Sequence, residues 1–201
     1  MGAGMTAGRR MEELARVLEG RRSLLVLTHT NPDPDAIAAG VGLGHLVREA
    51  LGLEAAFAYE GDIYRAENKA MVALLGLPVL PMARIRPQDF EGFALVDSQP
   101  GFGNTVLPGG LVPLVVIDHH VSPEAAGPPA LFEDIRTDAG ATSTLIADYL
   151  RQAGVDLPAE LATALFYGIR TDTADFSRGM SDLDEQARSF LGPLVDRSLL
   201  H

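Results

Sequence analysis

The sequence contains no cysteine, which removes disulfides, thiolate metal ligands and cysteine nucleophiles together. Any metal must therefore be held by His, Asp, Glu or backbone oxygen. Lysine is nearly absent too. Lys69 is the single Lys among 16 basic residues, set against 27 acidic ones, and the formal net charge is -11. That balance argues against a long nucleic-acid groove, because such binding runs on clustered Lys and Arg and the arginines here are scattered. No apolar run approaches the roughly 20 residues of a membrane span. No basic segment leads into an apolar one as in a secretory signal, so the expected compartment is the cytoplasm, with no membrane partner. Met1–Thr6 fits the loose myristoylation pattern, but the match is short, few basic residues accompany it, and it is discounted.

What is present suffices for a full core. The chain has 201 residues, 47% of them hydrophobic, enough for one large α/β domain or two small ones and too apolar for intrinsic disorder. Leu24–Leu27 reads as a buried strand and Ala36–Ala50 as a helix. Between them lies His29-Thr30-Asn31-Pro32-Asp33-Pro34-Asp35. Asp33 suits the helix N-cap and Pro34 its first turn, but capping explains neither His29 nor Asp35. Further strands are expected at Glu54–Tyr59, Phe93–Val96, Leu114–Ile117 and Leu131–Ile135, with a short edge strand near Val79–Ile85 interrupted by Pro81. Helices are expected at Gly8–Gly20, Ala66–Leu75, Thr142–Ala153, Pro158–Tyr167 and Asp182–Leu200, and loops at Gly101–Pro113 and Ser122–Pro129. Gly40, Gly42 and Gly44 fall too late after the first strand for a nucleotide loop and indicate close helix–sheet packing. His45 is read as structural or exposed. This alternation predicts a doubly wound, mostly parallel sheet with helices on both faces.

In such a sheet the polar residues that end the strands gather at one edge. They are His29, Asp33 and Asp35, then Asp97, then Asp118, His119 and His120. Asp172, after Gly168-Ile169-Arg170-Thr171, is a fourth contributor. Carboxylates gathered there repel without cations. Mixed imidazole and carboxylate ligands suit Mn²⁺ best, with Mg²⁺, Co²⁺ or Zn²⁺ as alternatives, and there are enough ligands for two ions sharing a carboxylate and a water. An acidic chain with such ions favours a small phosphate-bearing substrate.

The order His-x3-Asp-x-Asp, Val-Asp-Ser, Asp-His-His and Gly-Ile-x-Thr-Asp-Thr, from about Leu24 to Thr173, resembles the DHH phosphoesterase superfamily. Asn-Pro-Asp-Pro-Asp-Ala and Thr-Asp-Thr look closest to its nanoRNase/3′-phosphoadenosine-5′-phosphate phosphatase group, with family II pyrophosphatases as rivals. By position, the resemblance implies that His29, Asp33 and Asp97 bind one divalent ion. Asp35, Asp97, His119 and Asp172 would bind the other, with Asp97 bridging. Asp118 would orient His119, and His120 would face the substrate phosphate as acid or hydrogen-bond donor. Thr142 and Ser143, at a helix start, are candidates for phosphate contact. Arg170 and Arg178 are candidates for bidentate phosphate binding, with surface ion pairing as the alternative. The implied activity is hydrolysis of short oligonucleotides or small phosphorylated nucleotides; the alternatives are a pyrophosphatase and a nucleotide-sensing module without turnover. Residues 1–201 are expected to form one DHH-type catalytic domain without the family's usual C-terminal substrate-binding domain, either as a piece of a longer protein or as a stand-alone domain of different specificity, and weak, broad activity is expected of it. The reading leaves room for a homodimer.

Overall fold

Short apolar runs that end in polar residues become the strands of one sheet. The computed structural model describes residues 7–122 and 129–199. Met1–Thr6 and most of the Ser122–Pro129 loop expectation lie outside the described residues. Six strands, β1 (Ser23–Leu27), β2 (Glu54–Tyr59), β3 (Val79–Pro81), β4 (Gly92–Val96), β5 (Val115–Asp118) and β6 (Phe132–Ile135), pair in the order β3-β2-β1-β4-β5-β6. Every pairing is parallel, so the sheet is wholly rather than mostly parallel. All five side chains of β1 are buried, as expected of a central parallel strand covered on both sides.

Helix α1 (Ala7–Leu18) precedes β1, α2 (Pro34–Leu51) links β1 to β2, and α3 (Ala66–Leu74) links β2 to β3. After β6 come α4 (Thr142–Ala153), α5 (Ala159–Asp172) and α6 (Asp182–Leu191). Helix α2 starts as the sequence indicates, with Asp33 Oδ1 accepting from the Ala36 N–H at 3.0 Å and Pro34 in the first turn. It ends at Gly52, whose φ of 70° is a left-handed conformation that glycine adopts without cost. Among the described residues, no helix is long and apolar enough to cross a membrane.

The two faces differ. Leu24 and Val26 join the large apolar cluster under the α-helices, with Ile37, Leu43, Ile146 and Leu165. Leu25 and Leu27 point the other way into a smaller cluster with Leu95 and Val116. That second face is covered by Met82, Ile85 and Phe90, from or beside the 3-10 turns Met82–Arg84 and Pro87–Asp89. Two helix boundaries also move. Helix α5 runs on to Asp172, so Asp172 lies in its last turn rather than after it. Helix α6 stops at Leu191 rather than Leu200, because Gly192-Pro193 follows and Pro cannot donate the next helical hydrogen bond.

Two of the three glycines of α2 are packing sites, Gly40 against the sheet as expected and Gly42 against α4 rather than the sheet. A Cβ at Gly40 would sit 2.2 Å from the Phe57 ring and one at Gly42 2.7 Å from Ile146. At Gly44 the nearest atoms would be 3.4 and 3.8 Å away, an ordinary contact. Gly40→Ala should therefore destabilise by up to about 2 kcal/mol, overpacking of about 1–3 kcal/mol offset by about 1 from the better helix former. Gly44→Ala, four residues along the same helix, should be neutral or stabilising by up to about 1 kcal/mol. Urea unfolding of the two variants tests this difference in sign.

Candidate metal centre

Strand order reverses between β1 and β4, the point at which open α/β sheets bind their ligands. His29 follows β1, Asp97 follows β4, and Asp118, His119 and His120 end β5. Asp97 has φ 53°, a left-handed conformation that Asp tolerates better than most residues. Its N–H still bonds Ile117 O at 3.0 Å, so the chain turns at the residue that carries the central carboxylate.

Three sets of side chains converge there: His29, Asp33 and Asp97; Asp35, His119 and Asp172; and Asp97, His119 and His120. Within each set the ligand atoms lie within 4.8 Å of one another. His29 Nε2 is 3.5 Å from Asp97 Oδ2. His119 Nε2 is 3.4 Å from Asp172 Oδ2, 3.6 Å from Asp97 Oδ1 and 4.0 Å from Asp35 Oδ2. Donor atoms sharing one ion at about 2.0–2.2 Å would be spaced at roughly these distances.

The histidines are prepared for metal. His29 Nδ1 faces Thr30 O at 2.9 Å and His119 Nδ1 faces Ala139 O at 3.3 Å. A carbonyl can only accept, so each Nδ1 carries a proton and each Nε2 lone pair is left for the centre. His119 Nε2 is buried and makes no hydrogen bond of good geometry, with the Asp172 carboxylate its nearest neighbour at 3.4 Å, so a cation would satisfy it. The donor set thus fits a divalent ion. His29, Asp33 and Asp97 would hold one; Asp35, His119 and Asp172, with Asp97, would hold a second.

The carboxylates feel one another. Burial, and then the charges of Asp97 and Asp172, push Asp35 well above the usual carboxylate range. Burial and Asp97 likewise raise Asp33. For Asp97, burial works upward, but the His29 hydrogen bond and the charges of His119 and His120 outweigh it and leave its pKa lowered. Burial lowers His29 and His119, yet the neighbouring carboxylates, Asp97 beside His29 and Asp172, Asp35 and Asp97 beside His119, lift them to about 9 and about 10.

Two expected assignments change. Asp118 does not orient the His119 ring. Its Oδ1 accepts from His120 Nδ1 at 2.9 Å and from the His119 backbone N–H at 2.8 Å. Thr142 and Ser143, expected at the substrate phosphate, are fully buried and give their donors to the carboxylates. Thr142 N–H reaches Asp35 Oδ2 at 2.7 Å, Ser143 N–H reaches Asp35 Oδ1 at 2.8 Å, and Thr142 Oγ1 reaches Asp97 Oδ1 at 2.8 Å. The start of α4 thus binds an anion as helix N-termini do, but the anion is Asp35. Arg170 donates to Asp175 at 2.8 Å and lines a cleft with Phe166, Arg188 and Arg197. Arg178 is exposed in the turn after α5.

Three supporting residues escaped the sequence reading. Buried Gln99 donates to Asp118 Oδ2 at 2.7 Å and to His120 O at 3.0 Å; its place two residues after Asp97 is the only cue. Asp184 accepts from Gly140 N–H at 3.0 Å, from Thr144 Oγ1, and from Ser181 in a capping box. It holds the start of α4 from below, and the Ser181-x-x-Asp184 spacing could have signalled the cap. Gly168 makes room for the centre, since a Cβ there would lie 2.7 Å from Ser143 Oγ and 3.1 Å from Asp35 Cα.

An open parallel sheet carrying a carboxylate–imidazole centre at its switch point defines a metal-binding α/β domain. Residues 23–169 match the model of the DHH family, N-terminal domain, and the chain belongs to that family. An uncharacterized protein of Methanocaldococcus jannaschii is 38% identical over 184 residues, 91% of this chain and 37% of that protein. A Deinococcus radiodurans protein named "Probable manganese-dependent inorganic pyrophosphatase" is 30% identical over 176 residues, 86% of this chain and 54% of that protein. The chain thus spans about half or less of the length of these relatives. Among solved structures, an exopolyphosphatase-related protein from Bacteroides fragilis superposes with a TM-score of 0.73 at 17% identity, covering 98% of this chain and 60% of the other. That likeness shows a shared fold.

Raised histidine pKa values stabilise the metal-free fold fully below the ordinary 6.5, and that contribution is lost as pH climbs through about 9 and about 10. A divalent ion displaces the same protons, so its own stabilisation grows over that range. The Tm gap between Mn²⁺-loaded and chelator-treated protein should widen from about pH 6 to about pH 8.5, with protons released on binding. Calorimetry in buffers of different ionisation enthalpy measures that release. A constant gap with no release would contradict the ligand assignment.

Proposed function

We infer that this domain is a metal-dependent phosphohydrolase that acts on short oligonucleotides or small phosphorylated nucleotides. The observation that carries the reading is Asp97 lying between two ligand sets, with His120 beside it and half open to solvent. Two divalent ions, Mn²⁺ foremost, would supply Lewis acidity and an activated water there. Asp97, which faces both sets, is the ligand on which both depend.

His120 has the features of the acid. Its side chain is 49% exposed where that of His119 is 14%, so it faces the open side of the centre. Asp118 Oδ1 accepts a hydrogen bond from His120 Nδ1–H and raises the imidazole pKa against the opposing pull of burial. The second proton then sits on Nε2, free for transfer. As a water oxygen bonds to phosphorus, giving up one proton to solvent, the bond to the leaving oxygen breaks and the Nε2 proton passes to that leaving oxygen. Gln99 holds Asp118 from its other oxygen, which keeps the ring fixed.

The Deinococcus radiodurans relative favours a second reading, inorganic pyrophosphate as substrate. Comparing kcat/KM for a dinucleotide, a nucleoside bisphosphate and pyrophosphate under one Mn²⁺ condition separates the two. The nucleotide reading expects the first or second to win, and a wide margin for pyrophosphate would replace it. A module that binds nucleotides without turnover would show binding and no phosphate release.

Among single variants, Asp97→Asn should cost the most activity and the most bound metal. His120→Ala should lower kcat by about 10²–10⁴-fold at near-normal metal content. Metal analysis alongside phosphate release tests both, and loss of an ion in His120→Ala would mean that the two histidine roles are exchanged. Exhaustive chelation should abolish hydrolysis.

A further inference from the structure

We propose that Phe102 determines specificity: its ring is the wall beside His120 on which an aromatic part of the substrate, a nucleobase, stacks. This rests on the phosphohydrolase reading above and concerns which substrates that site prefers. The Phe102 and His120 ring centroids are 6.2 Å apart with planes at 88°. Phe102 is only partly buried and packs against neither apolar cluster of the fold. Of the 12 Phe and Tyr residues, Phe102 and the exposed Tyr64 belong to neither cluster, and Phe102 is the one whose ring lies beside the His120 imidazole. Val121, the residue after His120, is 77% exposed, so the apolar character continues past the imidazole.

The loop that carries Phe102 is fixed to the metal-bearing strand ends. Thr30 N–H donates to Asn104 O at 2.8 Å and Val106 N–H to Thr28 O at 3.3 Å, and Thr105 bridges to His29. Thr105 Oγ1 donates to Gln99 O at 2.6 Å and pairs with Ser98 Oγ at 2.8 Å. Gly101, at φ 96°, and Gly103 flank the ring and allow the sharp excursion that presents it. A ring held in this way loses little entropy when a base stacks on it. Inorganic pyrophosphate has no apolar part for such a wall to meet, whereas a nucleobase has two π faces.

The test compares wild type with Phe102→Ala, Phe102→Leu and Phe102→Trp at equal Mn²⁺ content. Phe102→Ala and Phe102→Leu should lower kcat/KM for a dinucleotide by about tenfold, chiefly through KM, and Phe102→Trp should restore it. Pyrophosphate hydrolysis should change by less than about twofold, because that substrate offers nothing to stack. Equal losses for both substrates, or no loss with the dinucleotide, would overturn the proposal. Binding of AMP and of inorganic phosphate, read by calorimetry, is independent of turnover. Phe102→Ala should weaken AMP about tenfold and leave phosphate unchanged. If wild type hydrolyses nothing, the phosphohydrolase reading fails, and the AMP result alone decides whether Phe102 is a stacking wall.

Discussion

Asp35 and Asp97 have their carboxylates out of water, and each raises the cost of charge on the other. Asp33 and Asp172 add to that field from the same edge of the sheet. Like charges buried together are tolerated only when cations or protons compensate them. Here the metal-free compensation is a pair of protonated histidines, with pKa values lifted to about 9 and about 10. A divalent ion does the same work with more charge and better directed bonds. The mutual repulsion of these carboxylates is the constraint that the surrounding structure answers.

Much of the domain holds that repelling group in place. The start of α4 aims two backbone N–H groups at Asp35, which sets a fixed positive partial charge against it. That start is itself held by Asp184 from the capping box of α6. Gly168 lets α5 close onto both Asp35 and Ser143, which places Asp172 near His119. The Asp33 cap fixes the start of α2, so Asp33 and Asp35 project from one short, proline-stiffened turn. Metal ligands on rigid element ends keep their geometry better than ligands on free loops.

The strands and the cluster were legible in the sequence for a simple reason. Buried parallel strands read as continuous apolar runs, and this fold puts ligand residues immediately after them: Leu27 then His29, Val96 then Asp97, Ile117 then Asp118 to His120. Asp33 as a cap and Gly40 as a packing site followed from equally local rules. The rest depends on contacts far apart in the chain. Nothing adjacent in sequence shows that Thr142 and Ser143 serve Asp35, 107 and 108 positions away. Nor does it show that Asp118 serves the His120 ring, since both histidines lie within reach of it. Apolar spacing continues past Gly192-Pro193, but that pair ends α6 at Leu191.

The central claim is that Asp97 joins two ligand sets into one centre for two ions. Electron paramagnetic resonance of the Mn²⁺-reconstituted protein, with metal content measured on the same sample, tests it most directly. Two ions sharing a carboxylate predict a content near two per chain and the broadened spectrum of an exchange-coupled pair. A content near one per chain with the resolved hyperfine pattern of an isolated Mn²⁺ would contradict it.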